Sequence, residues 1–254
     1  MIAGIDIGSR SIELVCLQGG EPALYRRSPT TFDPLSRIND IIQGLEISRI
    51  VATGYGRNLA SQAFSARDKV GLDTITEIKA YSLGAAALAP EAGTVLDIGG
   101  QDTKAIRLGR NGRVVKFEMN DRCAAGTGKF LEHVANVFQI PIEEFGAYAL
   151  QGDEPLVINS MCTVFAETEA TSLMARGHKP QNIALGLHAS IVRRTINMLS
   201  RVGLTPPLVF AGGVANNPCM VKLLAAALGE AAIVPEEPDM VGAYGAALYA
   251  LQSG

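Results

Sequence analysis

The sequence predicts an α/β protein made of two related halves with a ligand cleft between them. Three observations carry that expectation. An apolar strand that bears an aspartate and ends in glycine occurs twice, as Gly-Ile-Asp-Ile-Gly at 4–8 and Leu-Asp-Ile-Gly-Gly at 96–100. Each copy is followed by further strands and then by helices, which is the order of a duplicated unit. A third apolar run, 208–211, ends in Gly212-Gly213 and opens into a helix, an arrangement that suits close approach of backbone to a ligand.

The elements follow from pattern and punctuation. Strands are predicted at 2–7, 11–17 and 23–26, with Gly8 ending the first and Gly19-Gly20 turning the chain between the second and third. A connection over 29–34 leads to a short helix ending near Gln43, and 49–53 is a buried strand stopped by Gly54-Tyr55-Gly56. Helical spacing begins at Thr74 and runs to about Leu88, where Pro90 and Gly93 end it. The strand theme then returns at 94–98, 103–108 and 114–119, with Gly109-Arg110-Asn111-Gly112 as a turn. Apolar residues at helical spacing predict helices over 128–138, 141–150, 164–176, 182–201, 218–228 and 240–251.

Composition narrows the function. A chain of 254 residues that is 48% hydrophobic and 19% charged affords a proper core, as one large domain or two modest ones. Its net charge of −3 gives no polyanion footprint, so nucleic acid is not the expected partner. The opening residues lack a basic stretch followed by an apolar core, and no run approaches the roughly 18 apolar residues of a membrane span. A cytoplasmic protein is expected, in which the four cysteines are thiols or metal ligands rather than disulfides.

The glycine-bearing turns point to phosphate. Without a Cβ in the way, backbone N–H groups can reach a phosphate, and neighbouring hydroxyl or amide side chains add donors. Gly8-Ser9-Arg10-Ser11 is one such loop and Gly99-Gly100-Gln101-Asp102 the other. Asp6 and Asp97 then face each other across the cleft and hold a magnesium ion through its waters. The 212–217 segment, with Gly212, Gly213 and Asn216, suits an adenosine. Any one of these could be a plain turn, but three at these positions, two of them internally repeated, argue against coincidence. A Walker A loop and a Rossmann glycine fingerprint are both absent.

Cys123 and Cys162 each stand just before a predicted helix, where the positive helix end favours the thiolate that a metal needs. They are far apart in sequence and no Cys-x-x-Cys occurs, so within one chain they are equally readable as small buried residues. A two-fold dimer would pool four thiolates, the usual complement of a four-iron cluster. Cys16 and Cys219 read as core residues. His133, His178 and His188 show no metal spacing, Arg193-Arg194 reads as a solvated face, and Lys129 either reaches phosphate or is solvated.

The two phosphate loops, Phe210-Ala211-Gly212-Gly213-Val214-Ala215-Asn216 and Gly242-Ala243-Tyr244-Gly245-Ala246-Ala247 resemble the actin, heat-shock-70 and sugar-kinase superfamily. That resemblance implies two ribonuclease-H-like domains with ATP or ADP in the cleft, here 1–90 plus 239–254 and 91–238. It puts Asp6, Ser9, Arg10, Ser11, Asp97, Gly99, Gly100 and Gln101 on phosphates or magnesium, with Gln101 orienting the attacking water. Asp-Ile-Gly-Gly-Gln-Asp-Thr-Lys at 97–104, Cys-Ala-Ala-Gly-Thr-Gly-Lys-Phe-Leu-Glu at 123–132 and Met-Cys-Thr-Val-Phe-Ala-Glu at 161–167 look like the activators of 2-hydroxyacyl-CoA dehydratases. They look equally like the ATPase subunits of benzoyl-CoA reductase, as do Thr53-Gly54-Tyr55-Gly56-Arg57 and the 75–80 segment. Membership implies a homodimer in which Cys123 and Cys162 of both subunits hold one [4Fe–4S] cluster. It further implies ATP-driven delivery of a low-potential electron to a dehydratase or reductase with its own iron–sulfur centre, recharged by ferredoxin or flavodoxin. Arg10 and Ser11 stand where that family often has threonine. The rival expectations are a sugar- or acetate-type kinase, a non-redox ATP switch, and a reductase for a double-cubane-cluster protein.

Overall fold

Short apolar runs and tight turns make the first sheet. In the computed structural model, which describes residues 1–65, 70–159 and 162–253, β1 (Ile2–Ile7), β2 (Ser11–Gln18) and β3 (Glu21–Pro29) run as an antiparallel meander. α1 (Pro34–Ile42) starts on a proline, with the Asp33 carboxylate accepting from the Ser36 N–H, and lays Ile38, Ile41 and Ile42 into the core. β4 (Arg49–Thr53) returns parallel to β1. α2 (Ala60–Phe64) and β5 (Gly71–Thr74) follow, giving the order β3-β2-β1-β4-β5. Neither α2 nor β5 was expected from the sequence. Five and four residues are too few to establish a period, and the Gly71-Leu72-Asp73-Thr74 strand is held by pairing to β4 rather than by its own propensity.

α3 (Glu77–Leu88) begins three residues later than the sequence pattern suggested, because Thr74 completes β5 and Thr76 caps the helix by accepting from the Lys79 N–H. The second sheet repeats the first. β6 (Thr94–Ile98) and β7 (Thr103–Leu108) form an antiparallel hairpin, β8 (Val114–Asn120) continues it, and β9 (Leu208–Ala211) lies parallel to β6, in the order β8-β7-β6-β9. Between β8 and β9 run α4 (Gly128–Val137), α5 (Ile142–Ala149), α6 (Thr163–Ala175) and α7 (Pro180–Val202). α8 (Pro218–Leu228) and α9 (Val241–Gln252) close the chain.

The two largest apolar clusters among the described residues lie one against each sheet. One joins Ile5, Ile7, Ile12 and Leu14 to α1, and the larger one joins Leu96, Ile98 and Phe210 to Phe130, Leu131, Phe145 and Leu187 on the helices. Between the sheets lie α3 and α9, packed on each other, with α9 against β1, β2 and β4 and α3 against β6, β7 and β8. This contact is made by small residues. A Cβ on Gly245 would lie 1.8 Å from the Ala80 carbonyl oxygen, so the α3–α9 approach depends on glycine there. Gly245→Ala therefore is expected to lower unfolding free energy by at least about 1–3 kcal/mol, the usual cost of overpacking, in a urea titration; an unchanged midpoint would contradict this packing.

Candidate functional site: a cleft between two Asp hairpins

Hairpin register builds the site. On the first sheet Glu13, Asp6 and Thr53 lie side by side across β2, β1 and β4. On the second, Lys104, Asp97 and Ala211 occupy the same places across β7, β6 and β9. Each hairpin closes in the same way, the Gly8 N–H donating to the Ser11 carbonyl at 3.0 Å and the Gly99 N–H to the Asp102 carbonyl at 3.0 Å. The parallel neighbours end alike too. Gly54 (φ 93°) and Gly212 (φ 82°) follow β4 and β9, and a Cβ there would lie 2.4 Å from Asp6 Oδ1 and 2.3 Å from Asp97 Oδ1 respectively. Both the left-handed backbone and the crowding demand glycine.

Two cavities open on this arrangement. One of about 580 Å³ is lined by Asp6, Gly8, Ser9, Asp97, Gln101, Asp102 and Gly212. The other, about 710 Å³, is lined by Asn216, Asn217, Val214, Leu131 and Ile142. Arg10, Ser11, Gly99, Gly100 and Gly213 border both. The structure thus gathers the sequence-predicted loop residues at one cleft, with one exception: Lys129 lines neither cavity, and its ammonium donates to Glu132 at 3.1 Å.

The cleft is electrostatically lopsided. Lys104 is 2% exposed and its ammonium lies 2.8 Å from carboxylate oxygens of Asp97, Asp102 and Glu77, and 5.3 Å from the centre of the Tyr81 ring. Burial works against its charge, but Asp97, Asp102 and Glu77 outweigh that and hold its pKa well above the ordinary lysine value. Burial pushes Asp97 up to about 6 even so. Asp6 has no ion-pair partner among the described residues, and the Lys104 charge only partly offsets what raises its pKa. Burial and then the neighbouring Glu13 raise it well above the carboxylate range, and burial brings Glu13 to about 7. Buried Glu13 Oε1, Thr53 Oγ1 and Asp97 Oδ1 have no hydrogen-bond partner among the described residues.

Glu13, Lys104, Glu77 and Tyr81 were not singled out from the sequence. A signal existed: in a hairpin whose turn spans 8–11, residue 13 must face residue 6, and the same offset from Asp97 gives Lys104.

The four cysteines divide by exposure. Cys16 and Cys219 are buried, and burial raises both thiols, Cys219 to about 12. Cys123 and Cys162 are exposed. Cys123 sits in the 121–127 loop before α4, its carbonyl accepting from Asn120 Nδ2 at 2.9 Å, and Cys162 is the residue that precedes α6. Ser160 and Met161, part of the second cysteine motif, lie outside the described residues. His133 Nε2 on α4 pairs with Glu167 Oε2 on α6 at 2.7 Å, tying together the two helices that follow the cysteines. Buried His188 has its pKa lowered to about 4 by burial and contacts the Ala184 carbonyl and the Asn217 amide. Exposed Val157, Val164 and Phe165 flank Cys162 in sequence. Among the described residues no helix is long and apolar enough to cross a membrane.

Two strand–Asp–Gly hairpins, each beside a parallel strand ending in glycine, with helices between the sheets, define the two-lobed ATPase fold of the actin, sugar-kinase and Hsp70 type. A ROK-family glucokinase from Streptomyces griseus shares that fold at a TM-score of 0.62 and 12% identity, covering 99% of both chains. The chain belongs to the BadF/BadG/BcrA/BcrD ATPase family, which matches residues 3–250. It is 37% identical, over 97% of its length and 93% of the relative's, to the 2-hydroxyisocaproyl-CoA dehydratase activator of Clostridioides difficile. A solved structure of the Clostridium difficile activator with bound ADPNP superposes at a TM-score of 0.89, with 36% identity over 99% of this chain and 94% of the other. Component A of the (R)-2-hydroxyglutaryl-CoA dehydratase of Acidaminococcus fermentans superposes at 0.91, with 32% identity over 99% and 98%.

Burial of Glu13 makes its effect on stability depend on pH. A carboxylate whose folded pKa is raised contributes stability that is full below its unfolded value, near 4.5, and is lost as pH rises through about 7. Glu13→Gln in nucleotide-free protein is therefore expected to gain about 2–3 kcal/mol over the parent at pH 8 and little at pH 5. Denaturant unfolding at the two pH values checks this, and an equal effect at both would contradict it.

Proposed function

We propose that this chain is the ATP-hydrolysing activator of a 2-hydroxyacyl-CoA dehydratase or related acyl-CoA reductase, working in the cytoplasm as a homodimer that shares one [4Fe–4S] cluster. The observation that carries the reading is the exposure of Cys123 and Cys162, each before a helix, against the burial of Cys16 and Cys219. The family relationship and the activator relatives support it independently.

The donor sets fit both groups. Among the described residues of one chain no cluster of three or more His, Cys, Asp or Glu is placed to hold a metal, so two exposed thiols suit a cluster completed by a second copy. Val157, Val164 and Phe165 give apolar surface beside Cys162 for that copy to cover. The unpartnered Asp97 Oδ1, with Asp6 across the cleft, suits a hydrated magnesium bound with the nucleotide rather than a fully protein-ligated ion.

In the mechanism the cluster supplies a one-electron store at low potential. The protein's own residues do the rest. Gly8, Ser9, Arg10 and Ser11 hold the phosphates from one side, and Gly99, Gly100, Gln101 and Asp102 from the other. Gly212, Gly213 and Asn216 receive the adenosine, and Gln101 orients the hydrolytic water. Lys104 fixes Asp97 and Asp102 in place. Movement between the lobes 1–90 plus 239–254 and 91–238 is passed to the cysteines because the Gly128 and Lys129 N–H groups donate to the Gly99 and Gly100 carbonyls at 2.9 and 2.8 Å. The electron donor is a ferredoxin or flavodoxin, and the acceptor an acyl-CoA enzyme with its own iron–sulfur centre.

Iron and acid-labile sulfide in protein purified without oxygen test the reading. About four of each per dimer are expected, lost in Cys123→Ser or Cys162→Ser and kept in Cys219→Ser. A colourless protein that still hydrolyses ATP would overturn it and put a small-molecule kinase first.

A further inference from the structure

Arg10, at the tip of the first hairpin, does not point into open cleft. Its guanidinium meets Glu132 Oε2 at 2.5 Å, on the first turns of α4. The same oxygen accepts from Lys129 at 3.1 Å. Arg10 belongs to the first sheet's hairpin, whereas α4 packs through Phe130, Leu131 and Val134 into the core beneath the second sheet. The ion pair therefore spans the cleft. It also sits where polyphosphate must pass, since Arg10 borders both cavities.

A guanidinium engaged by a single carboxylate oxygen in partial solvent is held weakly, and a polyphosphate offers it better-matched, bidentate acceptors. α4 has two attachments to the phosphate loops. The backbone bonds from Gly128 and Lys129 to Gly99 and Gly100 are permanent to the fold. The Glu132–Arg10 pair is the exchangeable one.

We propose that Glu132 is a positioning residue that holds Arg10 across the nucleotide-free cleft and yields it to the β- and γ-phosphates, so that triphosphate entry unlatches α4 from the first hairpin. The next residue, His133, carries the change to α6 through Glu167, so both cysteine-bearing loops lie on the latched helix pair. The latch makes occupancy by triphosphate compete with a contact between the halves, which is the differential interaction that a ligand-driven change of conformation requires. It also accounts for an arginine at a loop position where a small hydroxyl side chain would suffice for phosphate.

The inference rests on the nucleotide reading of the cleft, and calorimetric titration with magnesium and a non-hydrolysable ATP analogue separates the two. Glu132→Gln is expected to bind the analogue roughly two- to five-fold tighter than the parent, the size of an exposed ion pair. Arg10→Gln is expected to bind more weakly, and the double variant to match Arg10→Gln alone, since without the arginine there is nothing for Glu132 to withhold. Such non-additivity is not produced by a merely structural role. Unchanged or weaker binding by Glu132→Gln, with normal binding by the parent, or additive effects in the double variant, would overturn the latch. A parent that binds no analogue would overturn the nucleotide reading itself. Glu132→Ala repeats the measurement should the glutamine variant fold poorly.

Discussion

The buried ammonium of Lys104 is the constraint around which the site is arranged. It is the one cation within reach of Asp97, Asp102 and Glu77 among the described ion pairs, and each of those carboxylates belongs to a different piece of the site: the β6 strand, the 99–102 hairpin turn and the first turn of α3. Burying four charges is costly unless each is paired, and removal of one partner leaves others uncompensated. The same contact therefore fixes the second hairpin, orients Asp97 and anchors α3 between the sheets. The α3–α9 packing, closed by Gly245 against the Ala80 carbonyl, then sets how closely the two sheets approach.

The duplication is faithful in backbone and broken in charge. Asp6 and Asp97 share register, hairpin closure and a following glycine on the neighbouring strand. Seven residues on, however, one copy has Glu13 and the other Lys104. The second half thus holds a buried, ion-paired cation, while Asp6 and Glu13 in the first have no ion-pair partner among the described residues, and burial displaces both upward in pKa. Positive charge is what that side lacks, and the magnesium ion of the proposed nucleotide complex would supply it, although the complex as a whole is anionic.

Much of this was legible in the sequence for a physical reason. Strand–Asp–Gly turns are local, so their residue types report them directly, and the loop residues from Gly8 to Ser11 and from Gly99 to Asp102 were found with their positions intact. The place of Cys123 and Cys162 before helices was legible too, but their exposure was not, since a free cysteine reads equally as a small buried residue. What escaped was set by tertiary contact. β5 exists because β4 offers an edge, α3 starts at Glu77 because Thr74 is taken by β5, and Lys104 meets Glu77, its one carboxylate partner outside the 94–108 hairpin, only through the packing of α3. Glu132 was hidden for the same reason, since its partner Arg10 lies in the other half of the molecule.

The proposed phosphate loop at 99–102 and the start of α4, which follows the Cys123 loop, are one connected piece, joined at Gly99–Gly128 and Gly100–Lys129. Hydrogen exchange of anaerobically purified protein, with and without magnesium and a non-hydrolysable ATP analogue, tests it most directly. Altered protection that begins at 99–102 and extends through 121–133 is the predicted result. A change confined to 8–11, 99–102 and 212–216, with 121–133 untouched, would contradict it.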